Sequence, residues 1–181
     1  MRIAAIPIAA LCALPIVTPN ATAGESAPIP KEALRALRFF VGTWESETFE
    51  NGEKIGRDAD KRRWAPGKHC LIMTSSGEEG GAKTATTGLS GWDAKGKQLV
   101  EHWYTSQGLY AAIRYPLAGM KKDVWEGSLT VIFGDGKAFD GECELKKTED
   151  GFVWTARWEQ DGKESIRKSV ARRVKRKKES G

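Results

Sequence analysis

Phe39-Phe40-Val41-Gly42-Thr43-Trp44 is where the chain changes character, from a short segment with helical spacing to a long series of alternating ones. Gly42 permits a kink that a side chain would obstruct, and Trp44 brings a large apolar ring whose N–H needs an acceptor. Upstream, residues 26–30 are Pro-rich, and residues 31–38 (KEALRALR) predict a short helix that Pro30 suits as a start. Leu34, Leu37 and Val41 share one face at helical spacing. An amphipathic helix this short is held by packing on something else, and the surface on offer is whatever follows Gly42.

Downstream the pattern is a recurrence of turn signals: Asn51-Gly52, Pro66-Gly67, Gly80-Gly81, residues 93–96, Gln107-Gly108, residues 116–119, Gly134-Asp135-Gly136, Asp150-Gly151 and Asp161-Gly162. These nine turns divide the remainder into ten strand candidates. Several alternate: Phe152, Trp154, Ala156 and Trp158 take one face while Thr155, Arg157 and Glu159 take the other, and Phe139, Gly141, Cys143 and Leu145 oppose Asp140, Glu142, Glu144 and Lys146. The fold class expected is all-β: an antiparallel up-and-down meander closed into a barrel of about ten strands, with a short N-terminal helix, because closure removes exposed edges. An immunoglobulin-like sandwich uses fewer strands and crossed connections, whereas nearly every link here is hairpin-sized. About eight strands already enclose room for a small ligand, so ten leave space unless large side chains fill it.

The 181 residues suit one domain with a full core. Three segments are expected. Residues 1–23 read as a secretory signal: basic Arg2, an apolar run from Ile3 to Val17, and Ala21-Thr22-Ala23 as the cleavage site. That run is shorter than the roughly 20 apolar residues that span a bilayer, and Pro7 and Pro15 interrupt it. Residues 24–173 form the barrel domain, and residues 174–181 a basic tail. The expected location is therefore exported, periplasmic or extracellular, and not membrane-spanning.

The formal net charge of +5 is a property of the C-terminal end, the tail together with Arg172 and Arg173. From Arg172 onward six Lys or Arg accompany one Glu, and Arg2 adds one charge more, so the body between them is close to neutral at −1. Such a tail suits an anionic surface, or is a solvated terminus; with export, nucleic acid is not an expected partner. Cys70 and Cys143 sit where an oxidising compartment permits a disulfide, provided their Cα atoms approach within about 7 Å. Two buried free thiols are the other reading.

The run Leu37-Arg38-Phe39-Phe40-Val41-Gly42-Thr43-Trp44-Glu45, followed by Gly91-Trp92-Asp93 and by Trp103 ahead of Ser106-Gln107-Gly108, resembles a family of secreted bacterial domains of unknown function with lipocalin-like (calycin) barrels. The resemblance covers the chain to about Arg173. It implies that Trp44 sits at the base of the barrel under the helix, with Gly42 and Trp44 in structural roles, and it implies a pocket without naming a substrate. The related nitrobindins hold haem through a histidine late in the chain; here no histidine lies between Phe152 and Val174. No cofactor is expected.

Five residues are the candidates for ligand contact: Trp92, Trp103, Trp154 and Trp158 as an apolar lining, and Arg114 as an anchor for a carboxylate head, since it shares a face with Tyr110 and Ala112. Core filling is the competing role for the tryptophans. Residues 55–64 are polar on both faces, as a strand lining a wet cavity or an outer strand with paired charges would be. His69 and His102 show no metal-ligand spacing, and no metal site is expected. Ser75-Ser76-Gly77 lacks a nucleophile-elbow frame, Glu101 points away from His102, and Asp140, Glu142 and Glu144 read as solvated, so no residue is assigned a catalytic role. The expected function is to bind a small apolar or amphipathic molecule. The alternative is a filled barrel acting as an envelope interaction or structural module.

Overall fold

The computed structural model describes residues 28–160 and 162–175. The expected signal segment and most of the basic tail lie outside these residues. One helix, α1 (Lys31–Phe40), precedes ten strands: β1 (Gly42–Glu50), β2 (Glu53–Trp64), β3 (Cys70–Glu79), β4 (Ala82–Asp93), β5 (Gln98–Thr105), β6 (Tyr110–Pro116), β7 (Val124–Ile132), β8 (Ala138–Lys147), β9 (Gly151–Gln160) and β10 (Lys163–Arg173). Every strand pairs antiparallel with its sequence neighbours, and β1 pairs with β10, closing the barrel. The expected meander is the observed one, and each of the nine turn signals falls at a connection or within a residue or two of one.

Among the described residues α1 is the only α-helix, and it runs two residues beyond the expected end, to Phe40. That extension changes its buried face to Ala33, Ala36, Leu37 and Phe40, an i, i+3, i+4, i+7 set, while Leu34 and Val41 are only half-buried. The helix covers one end of the barrel, where Phe40, Trp44, Trp125 and Phe152 meet edge to face, with ring centroids 5.1 Å apart for Trp44 and Phe152 and 5.5 Å for Phe40 and Trp125. Leu71, Tyr115 and Leu145 complete this floor. The opposite end carries the hairpins β1–β2, β3–β4, β5–β6, β7–β8 and β9–β10, and nothing comparable covers it among the described residues.

The floor is locked by residues from both ends of the sequence. Trp44 Nε1 donates to Phe40 O at 2.8 Å, supplying the acceptor its indole needs at the unpaired helix C-terminus. Arg173, the last residue of β10, lies with Cζ 4.1 Å from the centroid of the Trp44 ring and donates from its two terminal nitrogens to the carbonyls of Val41 and Phe39. Gly42 has a φ of +138°, which side chains disfavour, and a Cβ there would stand 2.5 Å from Arg173 Nη1 and push that guanidinium aside.

Cys70 opens β3 and Cys143 lies inside β8, five strands away around the ring, and both thiols are free. Among the described residues no helix is long and apolar enough to cross a membrane.

Two charge-assisted hydrogen bonds to helix carbonyls with one ring contact set the size of the Arg173 effect, discounted for partial exposure. Arg173→Ala should lower unfolding free energy by about 1–2 kcal/mol, and Arg173→Lys should recover less than half of it because an ammonium cannot span two carbonyls while lying flat on an indole. Urea unfolding of the three proteins measures this, and full recovery by lysine would disprove the planar clamp.

Candidate functional site

Above the floor the barrel is hollow. The cavity measures about 800 Å³, within the range of small-molecule sites. Its walls differ because the inward-facing residues of neighbouring strands differ. From β6 to β9 they are Ala111, Leu129, Val131, Phe139, Trp154 and Trp158, with Leu109 just ahead of β6, whereas β1 to β4 contribute Ser46, Thr48, Asp58, Asp60, Arg62, Ser75, Thr84 and Thr86 beside one apolar residue, Met73. One wall is apolar and aromatic; the facing one carries hydroxyls and charges.

Trp103, Trp154 and Trp158 line this cavity, as expected from the sequence. Trp103 and Trp154 stand with ring centroids 5.9 Å apart and planes inclined by 56°. Glycines make room for the indoles: Gly88 pairs with Trp103 across β4 and β5, where a Cβ would sit 2.8 Å from Trp103 Cδ1, and Gly141 pairs with Trp158 across β8 and β9, where a Cβ would sit 3.1 Å from that of Trp158.

Two candidates do not join them. Trp92, near the floor end of β4, packs half-buried against the core and does not line the cavity. Arg114 is on the outer wall, where Nη1 donates to Thr130 Oγ1 at 3.4 Å and Thr130 Oγ1 donates to Asp140 Oδ1 at 2.8 Å. The carboxylate anchor expected of Arg114 is thereby corrected. Residues 110–115 (YAAIRY) present an apolar side chain to both faces, so their alternation has no readable phase, and the register with β5 and β7 turns Ala111, Ile113 and Tyr115 inward. Arg157 is exposed, as its alternation with Trp158 predicts. Asp140, Glu142 and Glu144 are exposed too. His102 stands on the outer wall with Nδ1 2.8 Å from Tyr110 Oη.

The buried arginine of the cavity is Arg62 on β2, within the strand whose charges read more readily as outer ones. Arg62 Nη1 donates to Glu101 Oε2 at 3.3 Å, and its Nε and Nη2 donate to Asp60 Oδ2 at 3.3 and 3.2 Å. Its Cζ lies 4.6 Å from the centroid of the Phe40 ring, so the floor supports the guanidinium from below. Arg62 and Glu101 are almost wholly buried, at 6% and 4% side-chain exposure. Trp103 Nε1 also donates to Glu101 Oε2, at 3.3 Å. Burial opposes the charge on Arg62, but the Glu101 and Asp60 carboxylates together outweigh it and hold its pKa above the ordinary value. Burial pushes the Asp60 carboxyl up, and the neighbouring Arg62 offsets this only in part. Asp60 Oδ1 has no hydrogen-bond partner.

Asp58, one alternation further toward the mouth, accepts from Ser46 Oγ and from Ser75 Oγ, the latter at 3.3 Å. At the mouth Arg167 pairs with Glu79, reaching from β10 past β1 and β2 to β3. On the other side Tyr115 and Cys143 are buried near the floor; desolvation raises the Tyr115 hydroxyl well above its usual range and pushes the Cys143 thiol up to about 12. A thiol with that value is not a nucleophile near neutral pH. The arrangement offers a shaped, half-apolar chamber with fixed charges rather than a nucleophile and base in contact.

The interior polar set was missed because residues 53–64 alternate charge with charge, leaving no hydrophobic beat to mark the inner face. Trp64 at the strand's end gave the one usable signal: counting back by two from a half-buried aromatic at the floor gives Arg62, Asp60 and Asp58. No family model matches this chain, and no curated protein matches it.

Two substitutions separate the roles of the buried charges. Glu101→Gln leaves Arg62 short of a buried counter-charge and should cost about 3 kcal/mol of unfolding free energy. Asp60→Asn should be neutral or stabilising at pH 7. The raised pKa of Asp60 means its ionisation costs the folded state; that cost vanishes as pH falls through the raised value toward the ordinary 3.8, so any Asp60→Asn gain should fade over that interval. Urea unfolding from pH 7 to pH 3 tests both, and a Glu101→Gln protein as stable as the parent would show that the ion pair carries no structural weight.

Proposed function

We propose that this chain is a binding protein whose barrel holds a small amphipathic molecule, and that residues 1–23 direct it out of the cytoplasm. The cavity of about 800 Å³ between an aromatic wall and a polar one carries this reading. A barrel serving only as a scaffold has no need of interior space, since unfilled volume forfeits packing contacts. Here large residues fill the floor completely and then give way, on β1, β2 and β4, to serine, threonine and aspartate. Apolar wall, polar wall and a short-looped mouth suit a ligand with an apolar body and one polar end. A buried, hydrogen-bonded charge cluster at the bottom of the chamber fixes where that polar end is oriented.

Trp103, Trp154 and Trp158 make the reading measurable, since a bound molecule changes the environment of three indoles. Titration with amphiphiles of differing head and chain should change tryptophan fluorescence saturably for at least one class. Thr86→Trp, which adds an indole to open space at mid-cavity, should weaken that binding at least about tenfold, or about 1.4 kcal/mol, without loss of the circular-dichroism spectrum. Failure of every amphiphile class to bind, with native mass spectrometry of host-purified protein finding nothing retained, would leave the barrel without this function.

A further inference from the structure

The charges of the cavity wall bear on which polar end a ligand would carry. We propose that the barrel selects a cationic amphiphile, an organic ammonium or amidinium head on an apolar body, and discriminates against the corresponding carboxylate; this rests on the reading of the barrel as a binding protein.

Seven carboxylates line the cavity against four cationic side chains, an excess of three negative charges. The imbalance is greatest in the interior. There Asp58, Asp60 and Glu101 surround one guanidinium, that of Arg62, which is spent on two of them. Asp58 makes no ion pair; its partners are the hydroxyls of Ser46 and Ser75, which orient a carboxylate without neutralising it. Gly77 lies opposite Asp58 on β3, where a Cβ would stand 2.6 Å from the Asp58 Cβ, so no neighbouring side chain covers that flank. Arg167 is drawn away toward Glu79 at the mouth. Buried charges are ordinarily paired, and the charge missing from this set is positive.

A second observation, independent of the acids, concerns the opposite wall. Trp154 is 8% exposed and its Nε1, which has the Tyr115 hydroxyl and the Cys143 thiol for neighbours, makes no hydrogen bond of normal length and angle with either, and the Nε1 of Trp158 finds no partner. These cavity-lining indoles face a wall on which Asp60 Oδ1 has no partner and Asp58 has hydroxyl partners only. A cation entering from the mouth reaches Asp58 first, with aromatic faces available to its body and to its charge. An anionic head would meet the excess negative charge, with Arg62 and Arg167 already engaged and the one remaining guanidinium of the lining, Arg57, exposed and out of phase with Asp58 on β2.

Three probes of equal chain length separate head from body: decylammonium, decanol and decanoate, titrated into the full chain at pH 7 and followed by tryptophan fluorescence and calorimetry. Decylammonium should bind at least about tenfold more tightly than decanoate, as one charge-assisted contact allows, with decanol between them. Asp58→Asn, which keeps both serine contacts, should weaken decylammonium about tenfold and leave decanol unchanged. In the parent protein, raising salt should weaken decylammonium and not decanol, which tests the same point should the variant fail to fold. Decanoate binding as tightly as decylammonium, or salt and Asp58→Asn acting alike on all three, would overturn the cation preference while leaving a binding protein. If none of the three binds, the cation preference falls as well, and broader amphiphile titration then decides whether the binding reading falls with it.

Discussion

The contact between Arg173 and Trp44 joins the last residue of the last strand to the first turn of the first strand, and barrel, helix and cavity all depend on it. Closure of ten strands requires β1 and β10 to meet along their length, and that seam begins with the Trp44–Arg173 pair. The guanidinium lies on the indole and takes up carbonyls at the helix end, while the indole N–H takes a third. Three carbonyls at the helix end, which have no partner within the helix, are thereby met, that of Phe40 in a buried place and those of Phe39 and Val41 at an exposed edge. With α1 fixed at the floor, Phe40 is held beneath Arg62, and with Arg62 the charge cluster of the cavity. A single chain of contacts thus runs from barrel closure to the site.

Much of the architecture was legible from residues 39–44 and the turn signals, because both depend on local chemistry. Gly and Asn tolerate positive φ at tight turns, and the connections fell where those residues are; Gly52, Gly67, Gly80, Gly81, Gly108, Gly136 and Gly162 all adopt it. The phases of β8 and β9 were legible for a similar reason, since Cys143, Leu145, Trp154 and Ala156 alternate with charged or hydroxylated neighbours. The site was less so. Strand β6 is apolar on both faces and β2 polar on both, and alternation carries information only where the faces differ. Long-range register decided both: β6 is set by β5 and β7, β2 by β1 and β3. The sequence reading therefore placed the wrong arginine in the barrel, Arg114 for Arg62.

That exchange alters the chemistry of the chamber. A guanidinium at Arg114 with no carboxylate nearby would have made an anion site. Arg62 is of the same residue type, but Asp60 and Glu101 hold it from two sides, and its charge is consumed before any ligand arrives. Charge sign at a site follows from the whole inward-facing set and not from its most conspicuous member.

The division between floor and chamber also separates two demands that conflict in a small barrel. Aromatic packing at one end concentrates apolar burial around Phe40, Trp44, Trp125 and Phe152, so the remaining interior can stay hollow without the barrel losing its anchor. Buried carboxylates in excess destabilise a fold by themselves, and Asp60, with its raised pKa and one unpartnered oxygen, bears part of that cost. Groups of this kind would be replaced by valine or leucine at little loss if packing alone shaped the barrel. Asp58 and Asp60 stand together on β2 and Glu101 reaches the same guanidinium from β5, so the cost is gathered at one place in the chamber, where the proposed binding would use it.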